Sequence, residues 1–197
     1  MSSSGHSPID WDRVERWARQ IVANDASEIS AEFPTPTRPS FVWDPAPETL
    51  ISDKLQFLHR YWMDLKGARA IPNYRAVDPL NMGPILGYVV LLEPVDGDRD
   101  FRFRIFGSLI ASVSEFDLTG QLASALIAST KVVEFGLASY RASMRRTGAL
   151  YTVRTPIGAY RTAQWHRLTM PLADDAGRIA RLIAVSLPMS RGGTLVG

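Results

Sequence analysis

The chain has 197 residues, 46% hydrophobic and 21% charged, with a net charge of +2. This composition suits one globular domain plus an additional segment. Cysteine is absent, which excludes disulfides, thiolate nucleophiles, cysteine-bound zinc, iron–sulfur clusters and a flavin–cysteine adduct. No apolar run approaches the roughly 20 residues of a membrane span. The opening MSSSGHSPIDWDRVERW lacks the apolar stretch of a secretory signal, so a cytoplasmic protein is expected.

In chain order, Ser7-Pro8-Ile9-Asp10 reads as a helix start. Trp11, Val14, Ala18, Ile21 and Val22 then recur at helical spacing, which predicts an amphipathic helix over 8–23. Residues 33–47 hold five prolines and read as an extended linker that Phe33, Phe41 and Trp43 pin to a surface. A second helix is predicted over 48–66, with Ile51, Leu55, Leu58, Trp62 and Leu65 as its core stripe and Gly67 as its stop.

Strands follow. Leu86–Val95 and Phe101–Phe106 flank the hairpin signal Asp96-Gly97-Asp98. Residues 108–128 are helical only in short pieces. A longer helix covers 130–147, with Val133, Leu137, Tyr140 and Met144 on one face, and Gly148 ends it. Three more strands are predicted at Leu150–Thr155, Thr162–Leu172 and Arg178–Met189, the last two joined by a five-residue loop with glycine. The sum is a five-stranded antiparallel sheet with a helical insertion on one face and the 48–66 helix on the other, an α+β class.

Charge is uneven. Residues 1–50 carry eight acids against four arginines. Residues 121–170 carry Lys131, Arg141, Arg145, Arg146, Arg154, Arg161 and Arg167 against Glu134 alone. The plain reading is a solvated basic face; attraction between the acidic arm and the basic half is the second. With no recognition helix or known module, nucleic acid is not expected as a partner.

Trp165-His166-Arg167-Leu168-Thr169-Met170-Pro171-Leu172, continuing through Asp174-Asp175-Ala176-Gly177 to Ile179, resembles the last hairpin of PAS domains. Other segments are similar to a proteobacterial family of stand-alone PAS proteins: Tyr61-Trp62, Gly67-Ala68-Arg69-Ala70-Ile71-Pro72, Asp78-Pro79-Leu80, Phe101–Gly107 and Asp117-Leu118-Thr119-Gly120. The match spans residues 55–189. It implies a PAS fold with a cleft between sheet and helices that can hold a small ligand, a sensory or regulatory role in signalling, and output by contact with another protein. It implies no particular cofactor. The domains expected are an arm at 1–47, the PAS domain at 48–190 and a tail at 191–197.

The ligand contacts expected in such a cleft are Phe103, Arg104 and Ile105 on the second strand, Tyr140 and Met144 on the long helix, and His166, Leu168 and Met170 on the fourth strand. Which sheet face forms the cleft stays open, because a one-residue shift inverts it. Arg102 and Arg104 share a face that meets either solvent and helix carboxylates or an anionic ligand. His166 is the one histidine placed for acid–base work or haem ligation, although it alternates with aliphatic residues as a core histidine would. His59 reads as a boundary residue and His6 lies in a tail. Glu93 is the only acid expected in the strands, and no nucleophile elbow, phosphate loop or paired metal-ligand spacing occurs. No catalysis is therefore expected. The alternatives are a cone-shaped isomerase or cyclase with His166 as base and Arg104 as anion stabiliser, or a haem sensor. Trp11, Trp17 and Trp43 in the arm imply docking, with a homodimer through the N-terminal helix the first expectation and packing onto the chain's own core the second.

Overall fold

The computed structural model describes residues 8–35, 37–126, 128–156 and 162–196. Ser7 of the expected helix start and His6 of the tail lie outside them, as does Arg161. None of its helices is long and apolar enough to cross a membrane among the described residues.

The arm is more ordered than its prolines suggest. Helix α1 (Trp11–Val22) begins three residues later than predicted because Asp10 is its cap, Oδ1 accepting from Arg13 N at 2.9 Å. A short helix α2 (Ser27–Glu32) follows. Strand β1 (Ser40–Trp43) then forms where a linker without regular structure was expected. Its four residues fit between Pro39 and Pro45, and as an edge strand it needs hydrogen bonds on one side only. It pairs antiparallel with β4 (Leu150–Arg154), Trp43 opposite Leu150.

Helix α3 (Asp53–Lys66) starts at the Ser52 cap, not at 48, and Gly67 ends it at a positive φ of 51°. Leu55, Leu58 and Trp62 are buried, but Ile51 precedes the helix and is exposed. Residues Pro79–Tyr88 wind in tight 3-10 turns, which delays strand β2 to Val89–Val95. Strand β3 is Asp100–Phe106, so Asp100 joins Glu93 as a second acid in the sheet; it is buried and held by Ser124 Oγ at 2.5 Å. Helices α4 (Ser108–Ser114) and α5 (Thr130–Arg145) precede β4, β5 (Gln164–Ala173) and β6 (Ile179–Met189).

The sheet is antiparallel, in the order β1-β4-β5-β6-β2-β3. It has six strands where five were expected, β1 being the addition. Residues 168–173 and 182–189 are buried without alternation, so the sheet centre is covered on both faces. Helix α5 lies over one face. Helix α3 packs on β5 and β6, Trp62 Nε1 donating to Pro171 O at 2.7 Å. On that second face Tyr151 and His166 meet, the hydroxyl 2.6 Å from Nδ1, while His166 Nε2 lies 3.2 Å from Gln164 Oε1. A neutral ring with its proton on Nε2 satisfies both contacts.

The arm docks within its own chain. Val14, Trp17, Ala18 and Ile21 are buried along α5. Glu134, wholly buried on α5, accepts from Asp10 N at 2.8 Å and from Arg13 Nη1 at 2.9 Å. Glu15 reaches Arg141 (3.2 Å) and Arg145 (2.9 Å), and Lys131 reaches Glu32 (2.8 Å). Hydrogen bonds from Arg145 and Arg19 hold the Glu15 carboxyl down at about 2. Much of the basic half therefore faces the acidic arm instead of solvent.

Replacing Glu134 with Ala is expected to cost about 3 kcal/mol in urea unfolding, since it strips a buried backbone N–H and Arg13 of their acceptor. Burial pushes the His166 pKa below its ordinary value. The unfolded chain then takes up the proton first as pH falls through about 6.5. Stability is expected to be full above that pH and to decline below it, and His166→Gln to flatten the decline when the melting temperature is followed against pH. Burial lowers His59 as well, so part of the slope is expected to remain.

Candidate functional site

A cavity of about 390 Å³ opens between the sheet and helices α4 and α5, within the size range of small-molecule sites. Its walls are mostly apolar. Phe103 and Phe106 come from β3, Ile110 and Val113 from α4, Phe116 and Leu118 from the following loop, and Val132 from the start of α5. Gly107 makes the turn from β3 into α4 possible: a Cβ there would lie 2.3 Å from Gly87 O.

Phe103 and Phe106 face the same way only because of a bulge. Leu91 pairs with Ile105 and Leu92 with Phe103, leaving Arg104 without a partner in the ladder. The extra residue reverses alternation beyond it, so both phenylalanines meet edge to face, ring centres 5.3 Å apart.

The polar end is built by β4, β5 and α5. Thr152 pairs with Arg167 and Arg154 with Trp165, which puts both arginines on the cavity face. Arg167 donates to Ser186 Oγ from Nε and Nη2, at 3.3 Å each, and to the Tyr140 hydroxyl. The Arg154 guanidinium carbon lies 5.4 Å from the Trp165 ring centre. Burial, then the charge of Arg167, pushes the Arg154 pKa down to about 9, which leaves it charged at neutral pH. Ser129, at the cap position of α5, also lines the cavity; its Oγ is buried without a hydrogen-bond partner among the described residues. Glu115 is the one acid in the lining and is exposed.

Of the contacts expected from sequence, Phe103 and Tyr140 line this cavity. Arg104, Ile105, Met144, His166, Leu168 and Met170 are not among its lining residues. His166, Leu168 and Met170 alternate with Trp165 and Arg167 and so take the opposite face. The bulge turns Ile105 away, and Arg104 pairs with Glu93 at 3.7 Å. Met144 lies one turn beyond Tyr140. Arg102 donates to Gly120 O at 2.8 Å. Arg154 and Arg167 were read as part of a solvated basic face; the signal that could have found them is their position near Trp165 on two strands predicted one after the other in the chain. No group of three or more histidine or acidic side chains among the described residues is arranged to hold a metal ion.

A family model described as PAS domain matches residues 51–186. No match was found among curated proteins or among solved structures. The matched span holds α3, five of the six strands and the helices that enclose the cavity, and the chain belongs to the PAS domain family.

Proposed function

We propose that this PAS domain is a ligand-gated regulatory module without catalytic chemistry of its own: a small molecule occupies the cavity, and the effect is read by a partner protein or a second copy through the arm. The cavity carries this reading, an apolar chamber with a polar end built by two arginines, a tyrosine and a serine. Helix α5 is the physical link. Val132 and Tyr140 touch the chamber, while Glu134, Arg141 and Arg145 on the same helix hold α1. A ligand that favours one placement of α5 would shift the arm only by its difference in affinity for the two placements.

The enzyme and haem alternatives both need His166 in the chamber, and it takes the other sheet face. A homodimer through α1 needs that helix to leave its own α5, because its apolar residues are spent there.

Native mass spectrometry of the full chain, purified without denaturation, is expected to show a retained small molecule. A clean apo mass that persists after incubation with a mixed metabolite extract would count against the ligand part. Trp17→Ala, which empties a buried site between α1 and α5, is expected to speed amide exchange over residues 11–22 while the sheet keeps its protection. Equal loss of protection in both regions would mean that the arm is one cooperative unit with the core and cannot signal separately.

A further inference from the structure

The two cavity arginines are the strongest unmet demand in the molecule. Several buried or half-buried cations find a carboxylate: Arg13 has Glu134, Arg141 has Glu15, Arg146 has Asp44 and Arg181 has Glu93. Arg154 and Arg167 find none among the described residues. Arg167 spends its donors on two hydroxyls, and Arg154, without a hydrogen bond among the described residues, rests against the Trp165 ring. They sit diagonally across adjacent strands on one face, so they repel each other. The start of helix α5 also borders the chamber, and there the Ser129 Oγ has no hydrogen-bond partner among the described residues.

Water alone fills such a chamber poorly. It would solvate the guanidinium groups, but it would also wet Phe103, Phe106, Phe116 and Val132 at a cost. A purely apolar guest has the opposite fault, leaving both cations without an acceptor. Only a molecule with an anionic end and an apolar body meets both walls. At about 30 Å³ for each water-sized volume, the chamber takes a guest on the order of a dozen non-hydrogen atoms.

We propose, on the reading that this cavity is a ligand site, that its ligand is an amphipathic anion: one carboxylate or phosphate head held by the forks of Arg154 and Arg167, with an aliphatic or aromatic body against the phenylalanine wall. Planar guanidinium forks suit either head. Glu115, the one acid in the lining among the described residues, is exposed and pairs with neither arginine, so the arginine end repels a cationic head and leaves a neutral one without a charge to meet.

The test is isothermal titration calorimetry of the full chain with octanoate, octyl phosphate and 1-octanol, which share one apolar body and differ in the head. At least one anion is expected to bind roughly tenfold or more tightly than the alcohol, and comparing the two anions identifies the head. Arg154→Met, which keeps the side chain's length, is expected to bring the anions to the level of the alcohol while leaving alcohol binding in place; Arg154→Lys is expected to keep part of the preference. Equal binding of all three by the unmodified chain leaves a ligand cavity but overturns the anionic ligand. Binding of none overturns both. Anion binding that survives in both Arg154→Met and Arg167→Met places it elsewhere and overturns the assignment. The comparison of heads on the unmodified chain decides the matter where a variant fails to fold.

Discussion

The structure depends on covering α5. Residues 132–135 and 137–143 of this helix are buried, which no single sheet face can achieve, since a sheet touches one side of a helix. The second side is supplied by the arm. A helix enclosed in this way must also have its polar groups paired inside, and it does: Ser139 and Ser143 donate to carbonyls one turn back, Glu134 takes the cap of α1, and Arg141 reaches Glu15 and the carbonyls of Asp98 and Arg99. Arg141 thus ties the arm, the helix and the β2–β3 hairpin at one point.

This dependence explains which parts of the fold were legible in the sequence. The core strands and α3 follow from local periodicity, and their order together with the Trp165–Ile179 hairpin pattern points to the PAS family. The arm did not follow. A proline-rich stretch predicts irregular chain, and β1 exists only because β4 offers an edge and Trp43 can anchor it, donating from Nε1 to Ile21 O at 2.7 Å. Asp44, just beyond, holds a positive φ of 50° and accepts from Ala149 N, with its carboxylate against Gly148, where a Cβ would lie 2.3 Å away. Gly148 is therefore needed for contact with the arm, a partner 104 residues distant in sequence, and not for ending α5, which stops earlier, at Arg145, with Arg146 already extended. Such requirements are non-local, and no window of sequence contains them.

The site was legible in composition and not in direction. Phe103 and Tyr140 belong to the chamber, but strand alternation gives two equivalent faces, and choosing the aliphatic row of β5 selected the packed face over the open one. The bulge at Arg104 compounds this: it sets Phe106 beside Phe103, where strict alternation sets Ile105. A charged residue without a ladder partner is the trace that a bulge leaves, yet Arg102 two residues earlier has the same appearance in sequence and keeps its partner, Glu93.

The arginines of the chamber bear on how a ligand would act. A charge buried without a counter-charge weakens the fold in the free state, so a chain that carries two is biased toward whatever satisfies them. Arg167 already leans on Tyr140 of α5. An acceptor placed between the arginines competes with that hydroxyl for the same guanidinium, and any relaxation of Tyr140 is passed along a helix whose next turns hold Glu15 through Arg141 and Arg145. Helix α5 cannot shift freely beneath the arm, because these contacts are short and the apolar seam beside them is close-packed. On the proposed reading, a ligand effect that reaches Tyr140 would pass to the α1–α5 seam, and that seam is where a partner would distinguish the filled module from the empty one.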